Sequence, residues 1–304
     1  MQAETTEKFH SGVVAIIGRP NVGKSTLLNR ILGQKIAITS PKPQTTRNRI
    51  LGVAHLEGGQ ILFLDTPGIH QAKDRLNKFM VEQAMSSCGE VDMVLYLIDA
   101  TNPAPHNETE EKIFTHLRNC GRPVYLVINK IDALSRERLL PIMQTYATKY
   151  PFASLVPVSA ATGDGVDLLV KMLRDALPEG PQYYSEDTVT DLPERFIVAE
   201  MVREQLLRQM RDEIPFMVAV VVEEFSEEPE RNLVVIKAAI NVARDSHKGI
   251  VIGKQGAMIR ALGQSARRDI EKFLGCRVYL ELFVKVQKDW TASERMLREF
   301  GYHS

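Results

Sequence analysis

Eight consecutive residues, from Gly18 to Ser25, limit the fold of the first half of this chain more than any other feature. They read G-R-P-N-V-G-K-S, which is the spacing of a phosphate-binding P-loop. The apolar run 13–17 before them predicts a buried strand, and residues 26–32 after them predict a helix. In that setting, backbone N–H groups form a concave anion site at a helix N-terminus. A glycine-rich turn without a ligand is the alternative that these residues alone leave open.

The P-loop pattern assigns a contact to each of its residues. We expect Lys24 to reach the β- and γ-phosphates and the Ser25 hydroxyl to ligate Mg²⁺. Glycine is needed where the chain turns tightly and the backbone approaches the phosphates. The predicted nucleotide contacts of this segment are Gly18, Arg19, Pro20, Asn21, Val22, Gly23, Lys24, Ser25 and Thr26.

A polar, proline-containing stretch at 40–49 has neither helical nor strand periodicity and is predicted to be a loop. It lies where a first switch segment is expected, between the P-loop helix and the next strand. A threonine hydroxyl from such a loop completes the Mg²⁺ shell only when a γ-phosphate is present. We choose Thr46 over Thr45 for this role, and a basic loop without that function is the alternative.

The tetrapeptide D-T-P-G at 65–68 follows a predicted strand at 60–64. An acidic residue at the carboxyl end of a strand beside a P-loop is where a Walker-B aspartate holds the Mg²⁺ shell. Gly68 would let its N–H approach the γ-phosphate, so this turn can distinguish GTP from GDP. The predicted nucleotide contacts here are Asp65, Thr66, Pro67 and Gly68, and the predicted Mg²⁺ ligands are Ser25, Thr46 and Asp65.

The tetrapeptide N-K-I-D at 129–132 follows the apolar run 124–128 and determines the base. A carboxylate accepts two hydrogen bonds from guanine, at N1–H and the exocyclic amino group, and adenine offers neither. A buried carboxylate left unpaired costs several kcal/mol, so the motif predicts selection of GTP over ATP. A backbone N–H of S-A-A at 159–161 is expected to bond guanine O6. The predicted base contacts are Asn129, Lys130, Asp132, Ser159, Ala160 and Ala161.

Near-continuous apolar runs, such as 93–98 and 124–128, are separated by segments of helix length. This pattern is typical of a mostly parallel sheet covered on both faces, that is, a doubly wound α/β domain. With the ordered motifs, residues 13–176 resemble the Ras-like superfamily of translation-factor-related GTPases. The resemblance implies Mg²⁺-dependent hydrolysis of GTP to GDP and phosphate.

One position departs from the Ras-like pattern. Ile69 stands where such switches carry a glutamine that orients the attacking water, so we expect slow intrinsic hydrolysis. Related GTPases with a hydrophobic residue here use a P-loop asparagine to bind K⁺, so Asn21 either ligates K⁺ or only stabilises its turn. We expect the neighbouring His70 to be a loop residue and not a base. The residues assigned to catalysis are Asn21, Lys24, Thr46 and Gly68.

The second half of the chain differs in charge and in pattern. Residues 181–236 contain 5 Lys and Arg against 13 Asp and Glu, whereas residues 237–304 contain 13 against 7. The basic C-terminal stretch therefore suggests a polyanionic partner. Because proline and glycine interrupt the pattern at 177–181, we expect a GTPase domain at 11–180, a linker at 181–193 and a second domain at 194–304.

The predicted elements of the second domain follow the order α-β-β-α-α-β, with G-K-Q-G at 253–256 between the adjacent helices. This α+β pattern resembles a type II KH domain, whose G-x-x-G loop clamps the backbone of single-stranded RNA. A plain helix–turn–helix loop is the alternative. The predicted RNA contacts are Ile250 and Ile252 on an apolar base-contacting wall, then Gly253, Lys254, Gln255, Gly256, Arg260, Arg267 and Arg268.

The pairing of these two domains resembles the Era family over nearly the whole chain, including Q-T-T-R at 44–47 and the closing W-x-x-x-E-R-x-L-R at 290–298. The resemblance implies binding near the 3′ end of small-subunit ribosomal RNA and a role in assembly of the 30S-type subunit. It also implies a cytoplasmic, bacterial protein with peripheral association with the inner membrane, and we expect a monomer. Two alternatives stay open: an RNA-binding scaffold with a structural, barely hydrolysed nucleotide, and a metabolic P-loop NTPase.

Overall fold

The computed structural model describes residues 8–69, 75–87 and 89–302, and these form two compact units. The boundary after Asp191 falls inside the predicted linker. A short stretch of the predicted first domain, Ala37–Thr45, belongs to the second unit. The first unit takes the described residues of Met1–Ile36, Thr46–Gln71 and Met80–Asp191, and the second takes those of Ala37–Thr45, Ala72–Phe79 and Leu192–Ser304.

The first unit is a six-stranded sheet with helices, and it confirms the predicted doubly wound, mostly parallel α/β fold. The strand order is β2-β3-β1-β4-β5-β6, and only β2 runs antiparallel to its neighbour. The strands are β1 (His10–Gly18), β2 (Ile50–Leu56), β3 (Gly59–Asp65), β4 (Met93–Asp99), β5 (Val124–Asn129) and β6 (Ser154–Pro157). The helices are α1 (Lys24–Leu32), α3 (Glu108–Cys120), α4 (Arg136–Ala147) and α5 (Val166–Ala176), and helix α2 (Arg75–Ser86) begins in the second unit and continues in the first from Met80.

The strand order places the P-loop at the switch point of the sheet. β1 pairs with β3 on one side and with β4 on the other, so the chain after β1 and the chain after β4 leave the sheet in opposite directions. Ligands of open α/β sheets bind in the crevice at that point, outside the carboxyl ends of the strands. The central strands β1, β4 and β5 are almost wholly buried because the helices cover both faces, which explains their continuous apolar sequences.

Strand β2 and the segment after α5 form an edge that the sequence does not indicate. Residues of the predicted linker pack on β2 and on its neighbour β3: the backbone N–H groups of Tyr183 and Tyr184 donate to Gln60 Oε1 of β3 at 2.8 and 3.0 Å. Val53 N donates to Val189 O at 2.8 Å. The backbone groups of an edge strand need partners, and this segment supplies them. Much of the predicted linker is therefore a bound strap on the first unit.

The second unit contains a three-stranded sheet in the order β7-β8-β9, with β7 antiparallel and β9 parallel to β8. The chain follows the predicted order α-β-β-α-α-β. Its elements are α6 (Glu194–Gln209), β7 (Val218–Glu228), β8 (Leu233–Val242), α7 (Asp245–Ile252), α8 (Ala257–Leu274), β9 (Arg277–Val286) and α9 (Glu294–Glu299). Among the residues that the structure describes, no helix combines the length and the apolar character needed to cross a membrane.

Trp290 anchors the C-terminal tail of the second unit. Its ring is fully buried, lies 5.4 Å from the Phe300 ring and 5.9 Å from the Tyr302 ring, and its Nε1–H donates to Met217 O at 3.1 Å. A buried indole with its one donor satisfied is a packing residue. This tryptophan therefore holds the tail on the domain and does not offer a stacking surface for a base.

Candidate nucleotide and RNA sites

The P-loop turns between β1 and α1 through positions that need special backbone conformations. Asn21 and Gly23 have positive φ angles of 64° and 102°. A Cβ atom on Gly23 would lie 2.1 Å from Asn129 Nδ2, so only glycine fits there. The loop thus takes its shape from glycine and from contact with the N-K-I-D motif.

Lys24 is buried inside the loop and binds its carbonyl groups. Its Nζ donates to Gly18 O at 3.3 Å and to Arg19 O at 3.2 Å, and its side chain is almost inaccessible. Burial lowers the pKa of Lys24 to about 8, while the Asp65 carboxylate opposes that shift. An ammonium group held this way is electrostatically favourable for an anion brought into the loop.

Three predicted Mg²⁺ ligands meet beside the P-loop. Ser25 Oγ donates to Asp65 Oδ2 at 2.5 Å and lies 2.8 Å from Thr46 Oγ1. Asp65 is fully buried, which raises its pKa to about 6 against the opposing effect of Lys24. Within the described part of the chain, Asp65 Oδ1 has no hydrogen-bond partner. The neighbouring Thr45 hydroxyl donates instead to Lys42 O at 2.7 Å.

The turn after β3 lies against the P-loop. A Cβ on Gly68 would lie 2.7 Å from Pro20 Cα, so the close approach of the two loops requires glycine. Thr66 Oγ1 donates to Ile16 O at 2.7 Å, which directs its side chain into the sheet. Ile69 is buried in the core of the first unit, and its N–H donates to Gly18 O at 3.1 Å. His70 lies outside the described residues.

Asn129 connects the phosphate end of the site to the base end. Its Nδ2 donates to Val22 O in the P-loop at 2.7 Å, and its Oδ1 accepts from Ala160 N at 2.9 Å. The side chain is 2% exposed, so both hydrogen bonds are shielded from water. One amide therefore sets the distance between the two loops that the sequence assigns to phosphate and to guanine.

The base loop holds the carboxylate of Asp132 from one side. Ser159 Oγ, which is buried, donates to Asp132 Oδ1 at 2.6 Å, and the Asp132 side chain is exposed. The hydroxyl orients a carboxylate that has access to a ligand. Arg30, at the far end of α1, donates to Ala160 O at 3.2 Å and to Ala161 O. This second brace of the base loop was not predicted.

Lys130 also has a partner that the sequence did not reveal. Its backbone has a φ of 67°, and its Nζ lies 2.6 Å from Asp99 Oδ2. Burial opposes ionisation of Asp99, but hydrogen bonds from Lys130 and Thr101 outweigh it, so the pKa of Asp99 is lowered. The position of Asp99, at the carboxyl end of β4, was the available signal for its role.

The Arg19 side chain binds residues outside the P-loop. Its Nε lies 2.8 Å from Glu110 Oε1, and its Nη2 donates to Asn102 O at 2.7 Å. Glu110 is buried, which raises its pKa to about 7 despite the opposing charge of Arg19. Arg19 can therefore contact a nucleotide only through its backbone, because its guanidinium is held by α3 and by the chain before it.

The G-K-Q-G loop lies between α7 and α8, as the sequence predicts. Gly253, Gln255 and Gly256 have positive φ angles of 73°, 52° and 74°. Lys254 and Gln255 are exposed, so the backbone and one ammonium group are accessible at the tip. This is the arrangement that lets a phosphate approach the main chain.

A groove of about 420 Å³ lies beside α8 and β9, and Gly256 of the G-K-Q-G loop is among its lining residues. Arg260 and Arg267 line it, whereas Arg268 lies off the groove and its Nε donates to Gln264 O in the same helix at 3.3 Å. The lining residues are Gly256, Ile259, Arg260, Gly263, Gln264, Arg267, Tyr279, Leu280, Glu281 and Leu282.

Ile250 and Ile252, the predicted base-contacting wall, differ in exposure. Ile250 is 52% exposed, whereas Ile252 packs against the core of the second unit, and neither lines the groove. Two residues that are two positions apart on a helix point to different faces, which accounts for this difference in exposure. Apolar groove contacts come instead from α8 and β9, including the exposed ring of Tyr279.

Replacing Asn129 tests the connection between the two nucleotide loops. Asn129→Ala leaves buried Val22 O and Ala160 N without their partner, and we expect GDP binding to weaken about 100-fold because each unpaired group costs about 1–3 kcal/mol. Isothermal titration calorimetry measures this. Asn119→Ala, an exposed amide on α3, is the matched control and should keep wild-type affinity. Equal affinities of the two variants would contradict the bridging role.

Comparison with known proteins agrees with this geometry. Residues 13–130 match the family model of a 50S ribosome-binding GTPase, and residues 213–291 match that of a KH domain. GTPase Era of Geotalea daltonii is 56% identical over 299 residues, covering 98% of this chain and 99% of the relative.

Two solved structures are similar over almost the whole chain. One is Era in complex with MgGDPNP and nucleotides 1506–1542 of 16S ribosomal RNA, and the other is a point variant of Aquifex aeolicus Era bound to GDP·AlF4⁻. Each is 43% identical with a TM-score of 0.93, and each comparison covers 97% of this chain and 100% of the other. On sequence, fold and full-length coverage, this chain belongs to the Era family of GTPases.

Proposed function

We propose that this protein binds GTP, hydrolyses it to GDP and phosphate, and uses the difference between the two states as a molecular switch. The observation that carries the proposal is the Asn129 amide, which joins the phosphate loop at Val22 and the guanine loop at Ala160. One buried side chain thereby spaces the two ends of a single ligand. ATP and other adenine nucleotides lack the donors that the Asp132 carboxylate requires, which argues against a metabolic ATP-dependent enzyme.

The proposal includes Mg²⁺, which Ser25, Thr46 and Asp65 would hold. Hydroxyl and carboxylate oxygens are the ligands that this hard cation prefers, and the buried Asp65 Oδ1, unpartnered among the described residues, fits such a use. When bound, the ion neutralises charge on the phosphate oxygens. The similar Era structure that contains MgGDPNP supports this assignment.

Hydrolysis by these residues relies on binding and charge stabilisation. The Lys24 ammonium and the P-loop N–H groups stabilise negative charge on the phosphates, and Gly68 lets its turn come close to the P-loop. Ile69 is packed in the core and cannot orient a water molecule, so a slow intrinsic rate is expected. This same observation favours the scaffold alternative, which single-turnover hydrolysis with and without 16S ribosomal RNA separates from a stimulated switch.

Asp132→Asn tests the reading of the base. The amide presents a donor where guanine also presents donors, so we expect binding to shift from GTP to XTP, whose 2-oxo group accepts that hydrogen bond. Competition of GTP, XTP and ATP against a fluorescent guanine nucleotide measures the change. Asp187→Asn, an exposed carboxylate outside the motifs, is the control. Retained GTP selectivity in the Asp132 variant would mean that the base is recognised elsewhere.

The second part of the proposal is that the KH unit binds single-stranded RNA from the 3′ region of 16S ribosomal RNA and that the protein acts in assembly of the small subunit. The accessible G-K-Q-G backbone, two arginines and the exposed Tyr279 ring provide phosphate contacts and a surface for base stacking. The similar Era structure with nucleotides 1506–1542 of 16S ribosomal RNA supports the choice of ligand.

Arg260→Ala tests the groove beside α8. Loss of one phosphate contact should weaken binding of an RNA matching nucleotides 1506–1542 by about 5- to 10-fold and reduce the slope of log K against log salt by about 1. Fluorescence anisotropy at several salt concentrations measures both quantities. Arg138→Ala, an exposed arginine on α4, removes the same charge from the first unit and should leave both unchanged. An unaltered slope in the Arg260 variant would exclude the groove.

We further propose that Asn21 ligates K⁺ during hydrolysis. Its side chain is exposed at the P-loop, where its backbone is left-handed, so it is accessible at the phosphate end of the site. Turnover should be faster in KCl than in NaCl for the wild type, and Asn21→Ala should remove the difference. Equal wild-type rates in the two salts would refute the proposal and leave Asn21 with a turn-stabilising role.

A cytoplasmic location, peripheral contact with the inner membrane and a monomeric state are parts of the same proposal. Only the likeness to the Era family supports them.

A further inference from the structure

Helix α6 of the second unit carries charged side chains that are buried. Arg203 and Glu204 have no accessible surface, and Glu200 is 9% exposed. Buried charges are costly unless they are paired and hydrogen-bonded. Arg203 is paired with Glu200, with Nε donating to Oε1 at 2.7 Å and Nη2 to Oε2 at 2.5 Å. Arg203 and Glu204 also form hydrogen bonds with a second segment of the chain.

Those partners are in the switch segment, residues 37–45, which belongs to the same unit. At its end, Thr45 O accepts a hydrogen bond from Arg203 Nη2. Near its start, Thr39 N donates to Glu204 Oε1 at 3.1 Å, and Thr39 Oγ1 lies 3.4 Å from the same oxygen. Lys42 Nζ donates to Met210 O just after α6. The helix therefore binds the switch segment at its start, its middle and its end.

Arg208 strengthens the contact at the start of the segment. Its Nη2 lies 2.8 Å from Glu204 Oε1 and donates to Thr39 O at 3.3 Å. Both backbone groups of Thr39 are thereby paired with side chains of α6. A backbone held on both its donor and its acceptor has little freedom to rotate, so this end of the segment is fixed in place.

The next residue of the chain is a predicted Mg²⁺ ligand. Thr45 is followed by Thr46, whose Oγ1 lies 2.8 Å from Ser25 Oγ. A peptide bond is planar and short, so fixing the Thr45 carbonyl restricts where the Thr46 hydroxyl can be. A ligand that the nucleotide site needs is thus placed by contacts that belong to the KH unit.

The same helix also contacts the RNA-binding helix. Gln205, which is 5% exposed, donates through Nε2 to Asp269 Oδ2 on α8 at 2.8 Å. Helix α8 begins directly after the G-K-Q-G loop and lines the basic groove. Helix α6 is therefore in contact with the switch segment and with the RNA-binding helix, all within one compact unit.

We infer that Arg203 and Glu204 are positioning residues that clamp the switch segment on α6 and hold Thr46 in the arrangement that favours bound triphosphate. The inference rests on the proposed function of a GTP switch. Because the clamp holds Thr46, and Thr46 is expected to act only when a γ-phosphate is present, its loss weakens binding of the triphosphate and spares the diphosphate.

The test uses the full-length Glu200→Gln/Arg203→Met double variant, which removes both charges of the buried pair and leaves no unpaired ion. Its matched control is Arg295→Met/Glu299→Gln, which removes an exposed ion pair from α9 of the same unit. Isothermal titration calorimetry in Mg²⁺ buffer gives the affinities for GDPNP and GDP. We expect the clamp variant to bind GDPNP about tenfold more weakly with GDP unchanged, a typical size for coupling between sites. The control should match the wild type.

Hydrogen exchange of the ligand-free proteins measures how firmly the clamp holds the switch segment in the absence of nucleotide. Peptides covering 37–46 should exchange about tenfold faster in the clamp variant, because Thr45 O loses its hydrogen bond to Arg203 and the end of the segment is released. Peptides of strand β5 should be unchanged, which verifies that the first unit is folded. Protection of 37–46 equal to that of the wild type would overturn the inference.

Two further variants test the inference if the double variant does not fold. Lys42→Met leaves α6 intact and removes a contact from the segment's own side, so the preference for GDPNP over GDP should fall about threefold. Arg203→Lys keeps the positive charge beside Glu200 and should give an intermediate preference. An unchanged preference in both would refute the clamp. A wild type that binds neither nucleotide would instead refute the proposed function.

Discussion

Two hydrogen bonds made by the Asn129 side chain control the geometry of the nucleotide site. The phosphate loop and the base loop follow different strands, and neither strand fixes the distance between them. The amide donates to Val22 O and accepts from Ala160 N inside a dry environment, where a hydrogen bond is strong and an unpaired group is costly. Only glycine fits at position 23, because the amide occupies the space that a Cβ would need. Recognition of both ends of a nucleotide thus depends on one buried contact.

The remaining polar groups of this site are arranged for ligands and not for stability. Burial lowers the pKa of Lys24 to about 8 and raises that of Asp65 to about 6, so each charge is held at a cost in the absence of a partner. A phosphate at the ammonium and a hard cation at the carboxylate would each offset that cost. Perturbed pKa values of opposite direction in adjacent buried groups are characteristic of functional sites. The free energy of binding phosphate and the cation is therefore available to order the switch residues that contact them.

The second unit is built from separate stretches of the chain, one of which lies within the GTPase sequence. Residues 37–45 lie between two elements of the GTPase fold along the chain, but their backbone is bonded to α6 of the KH unit. The residue that follows this segment, Thr46, belongs to the first unit, and this connection is the basis of the proposed clamp. The buried charges of α6 make the contact specific, since a displaced segment would remove one hydrogen-bond partner from Arg203 and one from Glu204.

The sequence alone determined the features that depend on neighbours along the chain. The P-loop, the D-T-P-G and N-K-I-D motifs at strand ends, the order of elements in the KH unit and the G-K-Q-G loop are short-range patterns whose chemistry and periodicity are visible in sequence.

The tertiary structure decided the features whose partners are far apart in sequence. Strand β2 and the strap after α5 were missed because their backbone groups pair with other segments of the chain, β2 with β3 and the strap with β2. Arg30 and Asp99 were missed because their partners, Ala160 and Lys130, lie on other elements. The groove residues Tyr279, Leu280 and Leu282 come from a strand that parallel pairing brings beside α8, while Ile252 turned inward because a helix cannot direct two residues at i and i+2 to one face. Local patterns report backbone conformation and chemistry, but packing determines which surfaces meet.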